Sequence, residues 1–194
     1  PYTASQTGLA IVFPRWALAD GKLNERLASP GQRREIKTGM LSFIDERFGD
    51  DPSRIQLVRC GHDPSLAGKT IADLLTAAKQ PLTQSATAEA VIELQLKGGC
   101  SAILHSYDEP DVERFMQSPY GMIGSDGSLT TPGDGSPHPR AFGTYPRVLG
   151  RYVRERDGGR TYVSREMAAL TLLAKPSPVL LAGCLAMDRF FFDI

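Results

Sequence analysis

The sequence predicts an α/β fold made of parallel βα units, and three observations lead to this prediction. The chain has 194 residues, 41% of them hydrophobic, which is enough apolar material for one ordinary core. Strand-like and helix-like segments alternate from residue 53 to residue 156, a pattern that fits parallel βα units better than an all-α or all-β scheme. Because a few parallel strands leave edges and faces unburied, the units are expected to be part of a barrel.

The amino-terminal elements are predicted to be a short strand and a longer helix. Residues 9–13 form an apolar run of strand character, and the proline that follows stops it because proline cannot donate to a β-ladder. Pro30 and Gly31 are then expected to interrupt the regular secondary structure. Apolar residues recur at helical spacing from residue 32 to residue 48, which predicts a helix with one buried face that ends at Gly49.

The middle of the chain is predicted to alternate strands with helices. Period-two alternation and short apolar runs indicate strands, and apolar residues at helical spacing indicate helices. In order, the predicted elements are a strand at residues 54–60, helices at 69–79 and about 87–97, and a strand at 100–105. Ser85 or Thr87 is expected to cap the second helix, and the glycine pair at 98–99 is expected to end it.

The last third of the chain is predicted to contain further helices, short strands and one long loop. In order, these are a helix at 109–117 capped by Asp108, a strand at 120–124, a loop at 127–139, a helix from about Tyr145, a helix at 165 to about 174 and a strand at 187–194. One face of the helix near Tyr145 carries arginines, namely Arg147, Arg151, Arg154 and Arg156. We interpret this face as solvent-exposed rather than as a phosphate or RNA patch, because no stacking aromatic residues lie beside it.

Charge and hydropathy argue against nucleic acid and membranes as partners. The chain has 22 basic and 22 acidic side chains and a pI near 7.3, so it lacks a global basic field. The apolar run at residues 178–187 is about half the length of a membrane span. The start at Pro1 shows no signal-peptide pattern and is expected to mark a piece of something longer.

The cysteine pattern predicts neither a disulfide framework nor a structural zinc site. Cys60, Cys100 and Cys184 are odd in number, widely spaced and without a C-x-x-C pair. A reducing, cytoplasmic compartment is the expectation that follows.

Asp126 and Arg140 are the residues best placed to carry chemistry. Asp126 follows a predicted strand and is flanked by Gly124 and Gly127, so it can accept a proton, bind a metal ion or orient water. The alternative is an aspartate that caps its own turn. Arg140 follows Pro139 at the end of the long loop, where it can bind a carboxylate through two donors or form a surface ion pair.

The three histidines do not predict a closed metal site. They lack the H-x-H or H-x-x-x-H spacing of familiar sites, and no cysteine pair accompanies them. His105, at a strand end, can act as a ligand or a proton carrier, although a lone histidine in such a place is more often structural. His62 lies in a segment that resembles a turn.

Several motifs, spread over most of the chain and in the right order, closely resemble the D-aminoacylases, which are N-acyl-D-amino-acid deacylases of the amidohydrolase superfamily. The resemblance rests on residues 120–128 (YGMIGSDGS) and on residues 138–155, which begin HPRAFGTYPRVLGRY. The opening PYTAS and residues 61–70 (GHDPSLAGKT) also match segments of that family.

The resemblance implies a fold in which this chain supplies the late βα units of a (β/α)8 amidohydrolase barrel. The family adds an inserted small domain and a β-sandwich to the barrel, and the chain ends in a strand of that sandwich. On this basis the expected parts are the end of a barrel strand segment at 1–6, the inserted domain at 7–58, the last barrel units at 59–174, and a tail with the sandwich return strand at 175–194.

The resemblance also assigns roles to two residues. Asp126 matches the catalytic aspartate, which accepts a proton from the attacking water and can also bind zinc, and Arg140 matches the arginine that binds the substrate α-carboxylate. The implied substrate is a small N-acyl-D-amino acid, and the implied cofactor is zinc in the complete enzyme. Because the family's other zinc ligands have no counterpart here, they are expected from an amino-terminal barrel half or a companion chain.

These expectations leave two functions open. One is the carboxy-terminal portion of a zinc-dependent deacylase that is inactive by itself. The alternative is a non-catalytic fragment or interaction domain that lacks the metal-binding half.

Overall fold

A computed structural model describes residues 2–118, 123–127 and 135–155, with side chains up to Tyr152 in the last range. The described residues fall into two compact units. The sheet unit comprises residues 4–106 and 135–138, and the helical unit comprises residues 2–3, 107–118, 123–127 and 139–155. The helix expected at 165–174 and the strand expected at 187–194 lie outside the described residues, as does most of the strand expected at 120–124.

The sheet unit contains strands, α-helices and short 3-10 helices. In chain order they are β1 (Ser5–Gly8), a 3-10 helix (Leu9–Val12), α1 (Arg15–Leu18), a 3-10 helix (Ala19–Gly21), α2 (Leu23–Ala28), α3 (Pro30–Phe48), a 3-10 helix (Pro52–Arg54), β2 (Ile55–Cys60), a 3-10 helix (Pro64–Leu66), α4 (Ile71–Ala77), α5 (Gln84–Leu96) and β3 (Cys100–Leu104).

The sheet has the order β1-β3-β2, and both of its strand pairs are antiparallel. The prediction of parallel βα units is therefore wrong for these strands. Apolar periodicity locates strands but carries no information on their direction. A crossover through a single helix brings the next strand back parallel to the first. Here β2 is followed by two helices, α4 and α5, and β3 then runs antiparallel to β2.

A β-bulge interrupts the alternation in β2. Strict period-two alternation predicts Arg59 on the same face as Ile55 and Leu57. The register instead shifts between Leu57 and Arg59, so that Val58 and Cys60 are buried and Arg59 is exposed. One extra residue in a strand reverses which face the following side chains occupy, and this reversal breaks the predicted pattern.

The apolar run after β1 is a 3-10 helix rather than the predicted strand. Residues separated by three positions lie on the same side of a 3-10 helix, and Leu9 and Val12 are accordingly both buried. Ile11, between them, remains 47% exposed. The strand itself lies just before this run, in the more polar segment Ser5–Gly8.

The helices predicted between residues 32 and 97 are present, with some shifted ends. Helix α3 ends at Gly49, whose φ of 59° is easily reached only by glycine, as the sequence predicts. Helix α5 is capped by Thr83, whose hydroxyl accepts from the Ala86 backbone N–H at 3.2 Å, and not by Ser85 or Thr87. The first turn of α5 begins with polar residues, so apolar periodicity did not reveal it.

One apolar core holds the sheet unit together. Helices α3 and α5 pack on each other, and β2 and β3 bury their apolar side chains in the same cluster. The largest of its fully buried side chains include Leu9, Leu27, Ile36, Met40, Ile44, Ile55, Leu57, Ile71 and Ile92. At the rim of this helix pair, Glu89 on α5 accepts from Arg33 and from Lys37 on α3.

A disulfide joins β2 to β3, contrary to the prediction from the cysteine pattern. Cys60 and Cys100 face each other in the antiparallel register, with their Cα atoms 4.4 Å apart, and both side chains are buried. Two cysteines so far apart in sequence become neighbours only when the strands pair. The bond also removes the argument from cysteine usage for a reducing compartment.

The helical unit consists of α6 (Glu109–Met116), α7 (Arg140–Arg147) and a π-helix (Val148–Glu155) that continues α7. Helix α6 begins directly after Asp108 as predicted, but the Asp108 side chain makes no capping hydrogen bond. Helix α7 begins at Arg140, before the expected start at Tyr145. Pro146 has no N–H to donate within α7, and the wider π-helix begins just after it. Met116, Val148 and Tyr152 form the core of this unit. Across the described part of the chain, no helix combines the length and the apolar character needed to cross a membrane.

Candidate active site

The structure brings Asp126 and Arg140 into direct contact. Arg140 Nη1 lies 2.9 Å from Asp126 Oδ2, and both residues belong to the helical unit. The Asp126 side chain is 85% exposed and the Arg140 side chain 18% exposed. The carboxylate can therefore be reached by another molecule, while the guanidinium is held largely against the protein.

The local backbone explains how Asp126 reaches Arg140. Asp126 has a φ of 48°, in the left-handed region that aspartate tolerates better than most residues. A Cβ on the next residue, Gly127, would lie 2.9 Å from Ala141 Cα and 3.1 Å from the Arg140 carbonyl oxygen. Only glycine permits this close approach, which holds the Asp126 turn against the first turn of α7.

The start of α7 also suits the electrostatics of this pair. Arg140 is the first residue of the helix, and the hydroxyl of buried Thr144 donates to its carbonyl oxygen at 3.0 Å. The amino end of a helix favours negative charge, so a carboxylate beside the first turn is stabilised there. The Asp126 turn itself is closed by Ser125, whose hydroxyl accepts from the Gly127 backbone N–H at 3.3 Å.

The three histidines lie in the sheet unit, and the most buried of them, His138, is structural. His138 is 2% exposed, its backbone N–H donates to Gln6 Oε1 at 2.8 Å, and its Nε2 lies 3.0 Å from the Ala4 carbonyl oxygen. His105 is tied through its backbone to Arg54, and burial together with the Arg54 charge lowers the pKa of its ring. His62 is exposed in the turn after β2.

Metal-ligating side chains do not cluster in the part of the chain that the structure describes. Among those residues no group of three or more His, Cys, Asp or Glu side chains could hold a metal ion. Asp126 is paired with Arg140, and His105 and His138 are engaged as described above.

Comparisons with known proteins point to one group. No protein-family model matches the chain. The D-aminoacylase of Alcaligenes xylosoxydans xylosoxydans is 51% identical over 67 residues, which are 34% of this chain and 13% of that protein. The N-acyl-D-glutamate deacylase of the same organism is 42% identical over 78 residues, 40% of this chain and 14% of that protein.

Solved structures extend the similarity to nearly the whole chain. A crystal structure of D-aminoacylase, described as defining a novel subset of amidohydrolases, matches 95% of this chain with a TM-score of 0.53 and 26% identity. The resemblance to the D-aminoacylases is confirmed. The N-acyl-D-glutamate deacylase of Bordetella bronchiseptica, solved with zinc and a phosphonate inhibitor, matches 93% of the chain with a TM-score of 0.53 and 26% identity.

The chain spans only a small part of the length of the proteins that it matches. It covers 27% of the solved chains and 13–14% of the curated proteins named above. One of the solved D-aminoacylases is described as having a binuclear metal center.

Sequence reasoning missed a second polar cluster in this D-aminoacylase-like chain. Tyr152 is fully buried and donates its hydroxyl to Glu109 Oε1, to which Arg151 Nη2 also lies within 3.1 Å. Arg147 Nη2 lies 3.8 Å from Glu109 Oε2. Arg147 and Arg151 are thus paired with Glu109 and remain only partly exposed, with 26% and 37% of their side chains accessible, so the solvent-exposed interpretation holds in part. The side chains of Arg154 and Arg156 lie outside those that the structure describes. The sequence contained one signal for this cluster, namely Tyr152. It lies on the apolar face of its helix, and its hydroxyl needs a hydrogen-bond partner when it is buried.

Proposed function

We propose that this chain forms part of the catalytic site of a zinc-dependent hydrolase that deacylates N-acyl-D-amino acids to a D-amino acid and a carboxylate. The observation that carries the proposal is the contact between Asp126 and Arg140, which brings a proton-accepting group and a carboxylate-binding group within 2.9 Å. The names of the relatives, D-aminoacylase and N-acyl-D-glutamate deacylase, support this reaction class.

Asp126 is proposed as the residue that moves the proton. Its carboxylate accepts a proton from the water that attacks the acyl carbonyl carbon, and a tetrahedral intermediate forms. The same proton then passes from Asp126 to the amide nitrogen as the C–N bond breaks, and the D-amino acid leaves with a neutral amine. The 85% exposure of Asp126 leaves its carboxylate accessible to water and substrate.

Arg140 is proposed as the residue that holds the substrate. A guanidinium has five N–H donors arranged along two edges, so one arginine can serve a protein carboxylate and a ligand carboxylate together. In this arrangement the α-carboxylate of the substrate binds beside Asp126, and the scissile amide on the neighbouring carbon lies within reach of the proton acceptor. Binding of the α-carboxylate at Arg140 would thereby place the scissile amide close to Asp126.

Zinc is the metal that a similar deacylase contains, but the described residues do not make up a complete zinc site. A catalytic zinc ion uses three protein ligands, and no cluster of that size occurs among the residues that the structure describes. Asp126 can contribute one ligand at most. We infer that the others come from an amino-terminal barrel half or a companion chain.

The proposal is tested by joining this chain to the upstream region of a D-aminoacylase and measuring release of free amine from an N-acetyl-D-amino acid. We expect activity in this fusion protein and none in the 194-residue chain alone. Asp126→Asn should lower kcat by about 10²–10⁴-fold with little change in KM, because it removes the proton acceptor and keeps the side-chain shape.

The matched control is Asp111→Asn, which makes the same chemical change at an exposed position of α6. It should leave kcat unchanged. A fusion protein that folds but releases no amine would favour the alternative of a non-catalytic interaction domain. Full activity of Asp126→Asn would show that another group moves the proton.

A further inference from the structure

We infer that Glu109 is a positioning residue that sets the orientation of α7 and thereby holds Arg140 at Asp126. The functional consequence of this inference, but not the contact itself, rests on the function proposed above. Glu109 lies in the first turn of α6 and only 21% of its side chain is exposed. It is far in sequence from every residue that it binds on the following helices.

Helix α7 needs outside contacts to keep a fixed geometry. It contains Gly143 and Pro146, residues that destabilise helix interiors by about 1 and 3 kcal/mol relative to alanine. Its N-cap residue, Pro139, makes no side-chain capping bond. A helix with these weaknesses takes its position from the residues that it packs against.

Glu109 supplies such contacts to two successive turns. Its Oε1 accepts from the Tyr152 hydroxyl and lies 3.1 Å from Arg151 Nη2, while its Oε2 lies 3.8 Å from Arg147 Nη2. One carboxylate on α6 thus engages the end of α7 and the π-helix that continues it. Because Tyr152 is completely buried, its hydroxyl would lose its partner if Glu109 moved away.

A second contact fixes Arg147 from another direction. The Arg147 guanidinium carbon lies 4.9 Å from the centre of the Tyr2 ring, a distance typical of a cation–π interaction. Tyr2 also packs closely on α7, since a Cβ at Gly143 would lie 2.5 Å from the Tyr2 hydroxyl. Arg147 is therefore held between an aromatic ring and a carboxylate.

The rotation of α7 connects Arg147 to Arg140. The two residues are seven positions apart, about two turns of an α-helix, so they project from nearly the same face. When Glu109 holds Arg147, it fixes the rotation of the helix about its axis. Arg140, at the start of the same helix, is then directed towards Asp126.

The inference is tested first on the 194-residue chain by NMR of the arginine Nε–Hε groups. The Asp126→Asn variant serves as the reference, because its Arg140 Nε–Hε chemical shift is that of an arginine whose contact with residue 126 is weakened. We expect Glu109→Gln, which keeps the side-chain shape but removes the charge, to move the Arg140 signal in the same direction. Asp111→Asn, the same change in charge on the same helix turn, should leave the Arg140 signal in place.

Two further measurements complete the test. If Glu109→Gln does not fold, Arg151→Gln removes one of the contacts to Glu109 and should produce a smaller shift in the same direction. In the fusion protein, Glu109→Gln should raise KM for the N-acyl-D-amino acid about tenfold, leave kcat within about twofold, and hardly affect the corresponding amide, which has no carboxylate for Arg140 to bind.

The outcomes separate the two proposals. An unmoved Arg140 signal in folded Glu109→Gln would overturn the positioning role, whatever the activity of the fusion protein. A moved signal together with an inactive fusion protein would support the positioning role and reject the proposed function. Equal effects of Glu109→Gln on KM for the acid and the amide would also contradict action through Arg140.

Discussion

Arg140 touches Asp126 through one nitrogen of a planar group, and that planarity predicts the behaviour of a lysine in its place. Arg140→Lys keeps the charge but loses the two-donor fork that matches a carboxylate. In the fusion protein we expect KM for an N-acetyl-D-amino acid to rise about 10- to 100-fold with little change in kcat. Steady-state kinetics on the acid and on its amide measure the effect. The assigned role would be refuted if both substrates suffered equally.

Tyr152 makes the stability of the folded chain depend on pH in the alkaline range. Burial, the hydrogen bond to Glu109 and the Glu109 charge raise the pKa of its hydroxyl from 10.0 to about 12. Below pH 10 the tyrosine is protonated in both the folded and the unfolded chain, so its contribution to stability is complete. As pH rises from 10 to 12, the unfolded chain releases the proton before the folded chain does, and the free energy of unfolding should fall by about 2 kcal/mol.

Chemical denaturation at several pH values between 8 and 12 tests this expectation. Tyr152→Phe should be less stable than the parent at pH 8, because Glu109 loses a donor, but its stability should fall less steeply above pH 10. Tyr107→Phe, at a half-exposed position, is the matched control and should retain the parent's slope. The same slope in parent and Tyr152→Phe would disprove the assignment.

At the scale of secondary structure, local patterns predicted elements well and their pairing poorly. Helix α3 and strands β2 and β3 lie close to their expected positions, because each is encoded by the periodicity of its own residues. The antiparallel direction of the strands and the bulge before Arg59 depend on connections and on neighbouring strands. Neither is visible within a single segment.

The disulfide between β2 and β3 should contribute measurably to stability. It closes a loop between residues 40 positions apart, and cross-linking a loop of that length stabilises a folded chain by about 4 kcal/mol in the chain-entropy model. In a Cys184→Ala background, where only this pair can form, reduction should lower the free energy of unfolding by roughly that amount. Denaturant titrations with and without reductant provide the measurement.

A further variant controls for other effects of the reductant. Cys60→Ala combined with Cys100→Ala and Cys184→Ala should unfold at the same denaturant concentration in both conditions. If reductant leaves the Cys184→Ala protein unchanged, then the two strands are not covalently joined in solution.

At the scale of the whole molecule, the candidate site was predictable only in part. The motifs around Asp126 and Arg140 identified both residues before their contact was known, because each motif is continuous in sequence. The cluster around Glu109 was missed because Glu109 and Tyr152 are 43 residues apart and no local pattern joins them. The domain boundaries expected at residues 6, 58 and 174 stay predictions.

Metal content provides a test at the same scale. Since the described residues offer no cluster of three ligands, the 194-residue chain should retain far less than one zinc ion per molecule after dialysis. Metal analysis of the fusion protein, treated in parallel, should show bound zinc. Stoichiometric zinc in the 194-residue chain would instead indicate a metal site that includes residues outside those proposed here.

The bond between Cys60 and Cys100 also changes the covalent topology of the polypeptide. Residues 60 to 100, with α4 and α5 among them, form a closed covalent ring from which the two remaining arms of the polypeptide extend. A protease that cuts once inside this ring opens it without releasing a fragment, and both products stay attached until the sulfur–sulfur bond is reduced. A cut in either arm leaves two pieces without a covalent connection, so the ring is the segment of the described chain in which a single backbone break keeps the polypeptide covalently connected.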